Sequence, residues 1–68
     1  MTERLVVRLK QARQAHGMTQ AELAERVGVS RKTINTVENG VFVPSTTLAL
    51  MLAHALETSV ESLFALPQ

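Results

Sequence analysis

Arg31, Lys32, Asn35 and Thr36 cluster in the primary sequence as side chains that could do chemistry on a DNA base edge. Arg and Lys can donate to guanine O6 and N7, Arg with two bonds at once, and a Thr methyl can meet the methyl of thymine. Asn35 lies at the edge of this set, where it can also face backbone. A second group is suited to phosphate oxygens: the amides of Gln20 and Asn39, the hydroxyls of Thr19 and Thr33, and the Lys10 ammonium. For each of these the plain alternative is an ordinary solvated helix residue.

Those residues need two short helices to hold them. Thr19 is a good N-cap, and Glu22 three residues later completes a Thr-x-x-Glu capping box. Leu23, Ala24 and Val27 give the helix that follows one apolar face, and Gly28 stops it. Ser30 can cap a second helix that runs to about residue 39 and closes at Gly40. On that helix Ile34 and Val37 share a face, Lys32, Asn35 and Thr36 lie opposite, and Arg31 stands at the exposed tip. A surface helix of this kind is a recognition helix in outline.

The residues in register with this unit carry a family resemblance. Gln20, Ala24 and Gly28, the aliphatics Val29, Ile34 and Val37, and the close Glu38-Asn39-Gly40 are followed by Pro44-Ser45, Leu48-Ala49-Leu50, Ala53, Ala55-Leu56, Ser59 and Leu63-Phe64. From about residue 9 to 64 the chain resembles the phage-repressor/Cro family of helix-turn-helix proteins, also called the xenobiotic-response-element family, as a compact single-domain member. The resemblance implies an all-α, five-helix, lambda-repressor-like DNA-binding domain with its helix-turn-helix core at 19–39. It implies that Gln20 holds a phosphate, that the tip of the third helix reaches bases, and that Arg13 pairs with Glu38 to fix that helix against the first. The chain departs from the family in four places. Val41-Phe42-Val43 replaces a run with Lys, Met51 stands where Lys is common, Val7 falls on an outer helix face, and Glu57 replaces a frequent glycine.

Sixty-eight residues make one domain over 1–68, near the lower limit for a chain that folds on its own core. Hydrophobic residues are 46% of the total, and the aromatics are just Phe42 and Phe64, so the core is expected to be aliphatic and helical. The net charge of +1 hides a segregation. Residues 1–34 hold all seven bases (Arg4, Arg8, Lys10, Arg13, Arg26, Arg31, Lys32) against Glu3, Glu22 and Glu25, while the rest has only Glu38, Glu57 and Glu61. One half faces phosphates well and the other does not.

The spacing predicts five helices and no strand. The first covers about 3–15, burying Leu5, Leu9, Ala12 and the stem of His16, and ends at Gly17. Pro44 breaks the chain after the third helix. Ser45 caps a fourth over about 46–56, with Leu48, Leu52, Ala55 and Leu56 inward, and Thr58 or Ser59 caps a short fifth through residue 64.

Catalysis is set aside. The chain has no cysteine and no aspartate, and His16 and His54 fall on different helices. Ser30, Ser45 and Ser59 each begin a helix, where capping accounts for them. No enzyme, metal or cofactor is expected, and neither a membrane span nor a signal-peptide layout is present, which suits a cytoplasmic protein. The expected function is a DNA-binding transcriptional regulator, a repressor, acting on double-stranded DNA at a palindromic operator. The alternative is an antitoxin-like or other protein-interaction module with a toxin as partner, and between the two stands an activator whose acidic helix surface touches RNA polymerase. A single short recognition helix reads few base pairs, so a homodimer is expected, with Val41, Val43, Met51, Phe64 and Leu66 as interface candidates.

Overall fold

Four of the five helices among the described residues start at a hydroxyl that accepts the N–H three residues on. The computed structural model describes residues 5–68. Thr19 caps α2 (Gln20–Val27), Ser30 caps α3 (Arg31–Glu38), Ser45 caps α4 (Thr46–Ala55) and Ser59 caps α5 (Val60–Leu63). At Thr19 the box is complete: Thr19 Oγ1 accepts from the Glu22 N–H at 3.0 Å and the Thr19 N–H donates to Glu22 Oε1 at 2.8 Å. Each cap satisfies a backbone donor that the helix geometry leaves free.

The remaining helix, α1 (Leu9–Ala15), has no side-chain cap and begins later than the apolar spacing suggests. In place of a first helical turn, Val6–Val7 forms a short strand, β1, antiparallel to β2 (Phe64–Ala65), with Val6 opposite Ala65 and Val7 opposite Phe64. The chain is not strand-free, and the helix expected over 3–15 starts at Leu9; its expected residues 3 and 4 lie outside the described residues. The reason is local and tertiary together. Two β-branched valines favour the extended state, and the chain entering α1 finds its acceptor elsewhere, the Arg8 N–H donating to the Leu63 carbonyl at 2.8 Å. Val7 therefore does not sit on an outer helix face; it is half-buried against the core. Phe64, expected at the end of the last helix, is extended (φ −136°, ψ 135°).

Every helix contributes to one core. Leu9, Leu23, Ile34, Val37, Leu52 and Leu63 are fully buried, with Ala24, Val27, Leu48, Ala49, Ala53, Ala55, Leu56 and Phe64 around them. Leu5 and Ala12 are only partly covered, and the His16 side chain, 32% exposed, lies at the end of α1 against Glu57. α2 packs chiefly on α3 and α4. The turn between α2 and α3 requires Gly28, which takes the left-handed conformation at φ 77°.

Glu57 does at the end of α4 what a glycine does elsewhere. It has φ 55°, its N–H donates to the His54 carbonyl, and Thr58 N–H reaches back to Ala53 at 2.9 Å to close the helix. The Glu57 carboxylate meets His16 Nε2 at 3.1 Å, joining the ends of α1 and α4. That contact is exposed and worth little, whereas the left-handed backbone costs a non-glycine residue about 1–2 kcal/mol. Glu57→Gly is expected to raise the melting temperature, stabilising by roughly 0.5–1 kcal/mol after the added freedom of the unfolded chain is offset. A thermal melt reads this directly, and a lower midpoint would mean that the His16 contact outweighs the backbone strain.

Candidate nucleic-acid interface

Arg31 and Lys32 occupy the first turn of α3 and are exposed. Behind them Ile34 and Val37 are fully buried, so the apolar stripe pins the helix and turns its polar face outward. Asn35 is exposed on this face, and its carbonyl and Oδ1 accept from Asn39 Nδ2 at 2.9 and 3.3 Å. Its own amide N–H groups remain available to a base or a phosphate. Thr36 is more withdrawn than the helical wheel suggests. It is half-buried, and its hydroxyl donates to the Thr33 carbonyl at 2.9 Å, which leaves the methyl and the oxygen lone pairs for a ligand.

The residues expected at phosphates are in four places. Thr19 and Gln20 open α2, where the free N–H groups of the first turn and the helix dipole favour an anion. Thr33 is half-buried and shares a hydrogen bond of 2.9 Å with Ser30 Oγ at the start of α3. Asn39 closes α3, and Lys10 is exposed on α1.

Beneath this surface lies the pair that the family resemblance implied. Arg13 Nε donates to Glu38 Oε2 at 2.5 Å and Nη2 to Oε1 at 3.3 Å, while Nη1 donates to the Met18 carbonyl at 2.8 Å. The side chains are 9% and 2% exposed, so both charges are taken from water and answered by each other. One partner was missed from the sequence. Gln20 Nε2 donates to Glu38 Oε1 at 3.0 Å, a contact between residues 18 apart that no local spacing signals.

The candidates for a protein interface divide. Val41, Val43, Met51 and Leu66 are exposed, Val41 most of all at 78%. Phe64 differs: at 9% exposure it belongs to the core and reaches the surface only in the floor of the groove beside Val43. Leu50 and Phe42, not expected there, join the exposed apolar side chains.

The fold and the outward face of α3 define a helix-turn-helix domain. The model of the helix-turn-helix family HTH_3 matches residues 9–63, and the chain belongs to this family. An uncharacterized HTH-type transcriptional regulator of Archaeoglobus fulgidus is 44% identical over 57 residues, covering 84% of this chain and 81% of that one. The restriction-modification controller protein C.AhdI of Aeromonas hydrophila superimposes with a TM-score of 0.75 at 35% identity, over 79% of this chain and 82% of that chain. The master regulator for biofilm formation SinR, solved in complex with DNA, gives a TM-score of 0.75 at 30% identity, over 81% of this chain and 89% of that chain. No described helix is long and apolar enough to cross a membrane.

Electrostatics at the mouth of α2 gives a pH signature. The Glu22 carboxyl is held below its ordinary value of 4.5, first by the Thr19 backbone N–H and then by the Thr19 side chain; burial opposes them, and the charge of Arg26 adds a smaller pull in the same direction as Thr19. A carboxyl with a lowered folded pKa adds stability above its ordinary value and loses it as the pH falls through the lowered one. Glu22→Gln keeps a capping side chain but cannot titrate. Its stability relative to wild type is expected to be lower at neutral pH and to converge on wild type below pH 4.5. Melting curves on both sides of that value check this; a difference independent of pH would remove the Glu22 charge from the cap.

Proposed function

We propose that this protein is a repressor that binds double-stranded DNA sequence-specifically, with α3 in the major groove and the start of α2 on the phosphate backbone. The observation that carries the reading is the pairing of faces on α3. Ile34 and Val37 are wholly buried, while Arg31, Lys32 and Asn35 stand exposed in successive turns with donors to spare. Membership of the helix-turn-helix family and likeness to a regulator solved on DNA support it. Occupying an operator is enough to block polymerase, and a protein with this work belongs in the cytoplasm.

In this reading Arg31 and Lys32 read bases, Asn35 reads a base or braces the backbone, and Thr36 offers its methyl. Thr19, Gln20, Thr33, Asn39 and Lys10 hold phosphates. Selection of bound duplexes from a random pool tests the whole proposal. A shared, two-fold symmetric sequence should emerge, with affinity falling steeply as salt is raised because phosphate contacts release counterions. Failure to enrich any sequence overturns it. On the selected duplex Arg31→Ala and Lys32→Ala should each cost roughly 1–3 kcal/mol while helicity is unchanged, and unchanged affinity in both would remove α3 from the groove.

The same reading includes a homodimer. Two copies about a two-fold axis place recognition helices about 34 Å apart, one turn of DNA. The support is apolar surface away from the outward face of α3. Val43 and Leu50 border a shallow groove of about 340 Å³ floored by Leu5, Pro44, Ala49, Val60 and Phe64, and Met51 and Leu66 are also exposed. A second copy covering this groove would remove apolar area from water without touching Arg31 or Lys32. Sedimentation at micromolar concentration should give a dimer that Val43→Glu dissociates. A strict monomer, one per half-site on DNA, would end the dimer proposal.

A further inference from the structure

α4 is apolar on nearly every side. Leu48, Ala49, Leu52 and Ala53 face the core, and Leu50 and Met51 stand on the outer side at 58% and 42% exposure. A helix of this composition is ordinarily covered all round. Thr47 and His54 are exposed as well, so that positions 47, 50, 51 and 54 form an outer stripe with the spacing of a helix–helix seam. Leu50 is the ridge of this surface. On one flank lies the groove beside Val43, and on the other a shallow groove of about 920 Å³ with the buried Val27 and Ala53 in its floor. Arg26 and Glu57 border this second groove, one charge of each sign, and none of its residues belongs to α3.

We propose that a second copy of the chain covers this stripe, its α4 antiparallel to the first, about a two-fold axis that crosses α4 midway between Leu50 and Met51. The proposal rests on the homodimer reading above and deepens it by naming the helix at the axis. The stripe is its own complement under that rotation. Leu50 meets the partner's Leu50 and Met51 the partner's Met51, while Thr47 meets the partner's His54, because 47 and 54 lie equally far from the midpoint. A side chain at a two-fold axis faces its own kind, so a charge there would repel itself; the two nearest this axis carry none. Charge also selects the occupant. Arg26 and Glu57 balance across the groove, a neutral patch that suits a second copy, where a strongly acidic or basic partner would oppose one of them. Antiparallel packing sets the negative end of each α4 beside the positive end of the other. A seam of this spacing crosses at about 20°, which keeps the stripe in contact along its length.

Single cysteines test this, since the chain has none of its own. Met51→Cys, in the full chain at micromolar concentration under mild oxidation, is expected to become a disulfide-linked dimer. The axis brings each sulfur onto its twin, within the short span that a disulfide requires. Thr47→Cys and His54→Cys should each stay unlinked when oxidised alone and should link to each other when mixed. All three side chains are exposed, so their melting midpoints should match wild type. Should Met51→Cys melt early, Leu50→Cys reads the same axis from its other side. A Met51→Cys and a Leu50→Cys that both stay unlinked, while wild type sediments as a dimer, overturn the α4 axis and leave the homodimer on another face. Self-linking of Thr47→Cys overturns it too, because it would set the two helices parallel. A strict monomer in wild-type sedimentation ends the homodimer reading itself, and the α4 axis with it.

Discussion

The placement of α3 depends on one carboxylate. Glu38 accepts from Arg13 on α1 and from Gln20 on α2, and it ends the helix it belongs to, so three elements meet at two oxygen atoms. Taking an ion pair from water is costly, and the attraction between the charges returns that cost only when the remaining hydrogen-bond capacity is satisfied. Here it is satisfied: Arg13 also caps the Met18 carbonyl, and among the described residues no buried side-chain nitrogen or oxygen lacks a partner. The pair adds little net stability over an apolar pair of the same shape. Truncating either partner would strand the other charge, at about 3–5 kcal/mol. What the pair adds is direction. An apolar contact tolerates sliding, whereas a forked guanidinium on a carboxylate does so poorly, and a helix that reads bases cannot slide.

Most of the elements that frame this pair were legible in the chain because their signals are local. A hydroxyl three residues ahead of a free N–H, a Glu three residues past a Thr, and aliphatics spaced by three and four each specify a helix without reference to anything distant. The four capped helices follow those signals, and the inward residues of α2, α3 and α4 are the ones their spacing indicates. The Arg13–Glu38 pair was reached by family resemblance, since nothing in a spacing of 25 residues marks it.

The failures share one cause. Leu5, Leu9 and Ala12 make a helical stripe that carries Val6 and Val7 into the helix until Phe64 and Ala65 come alongside, and only then does the extended state have hydrogen-bond partners. Periodicity read within a window cannot see a strand partner at the far end of the chain, and two residues are too few to alternate visibly. Phe64 was misplaced by the same pairing. The sequence shows that Gln20 offers an amide and not which of two neighbours takes it, so its inward bond to Glu38 has no local signal. Glu57 was the opposite case: a residue at odds with the family pattern that adopts the glycine conformation rather than altering the helix end.

The β1–β2 pairing has a consequence for the chain as a connected object. With Val6 opposite Ala65, the two strands that flank the helices lie side by side at one place on the surface. A segment grafted immediately before Leu5 or after Ala65 would start there, and two such grafts would start as neighbours. A short covalent bridge from the end of the chain back to its beginning would turn the ribbon into a hairpin, and new ends could then be opened in the loop between α3 and α4. Such a permuted protein would close the ribbon as a local step, where the natural order must bring together residues from opposite ends of the sequence.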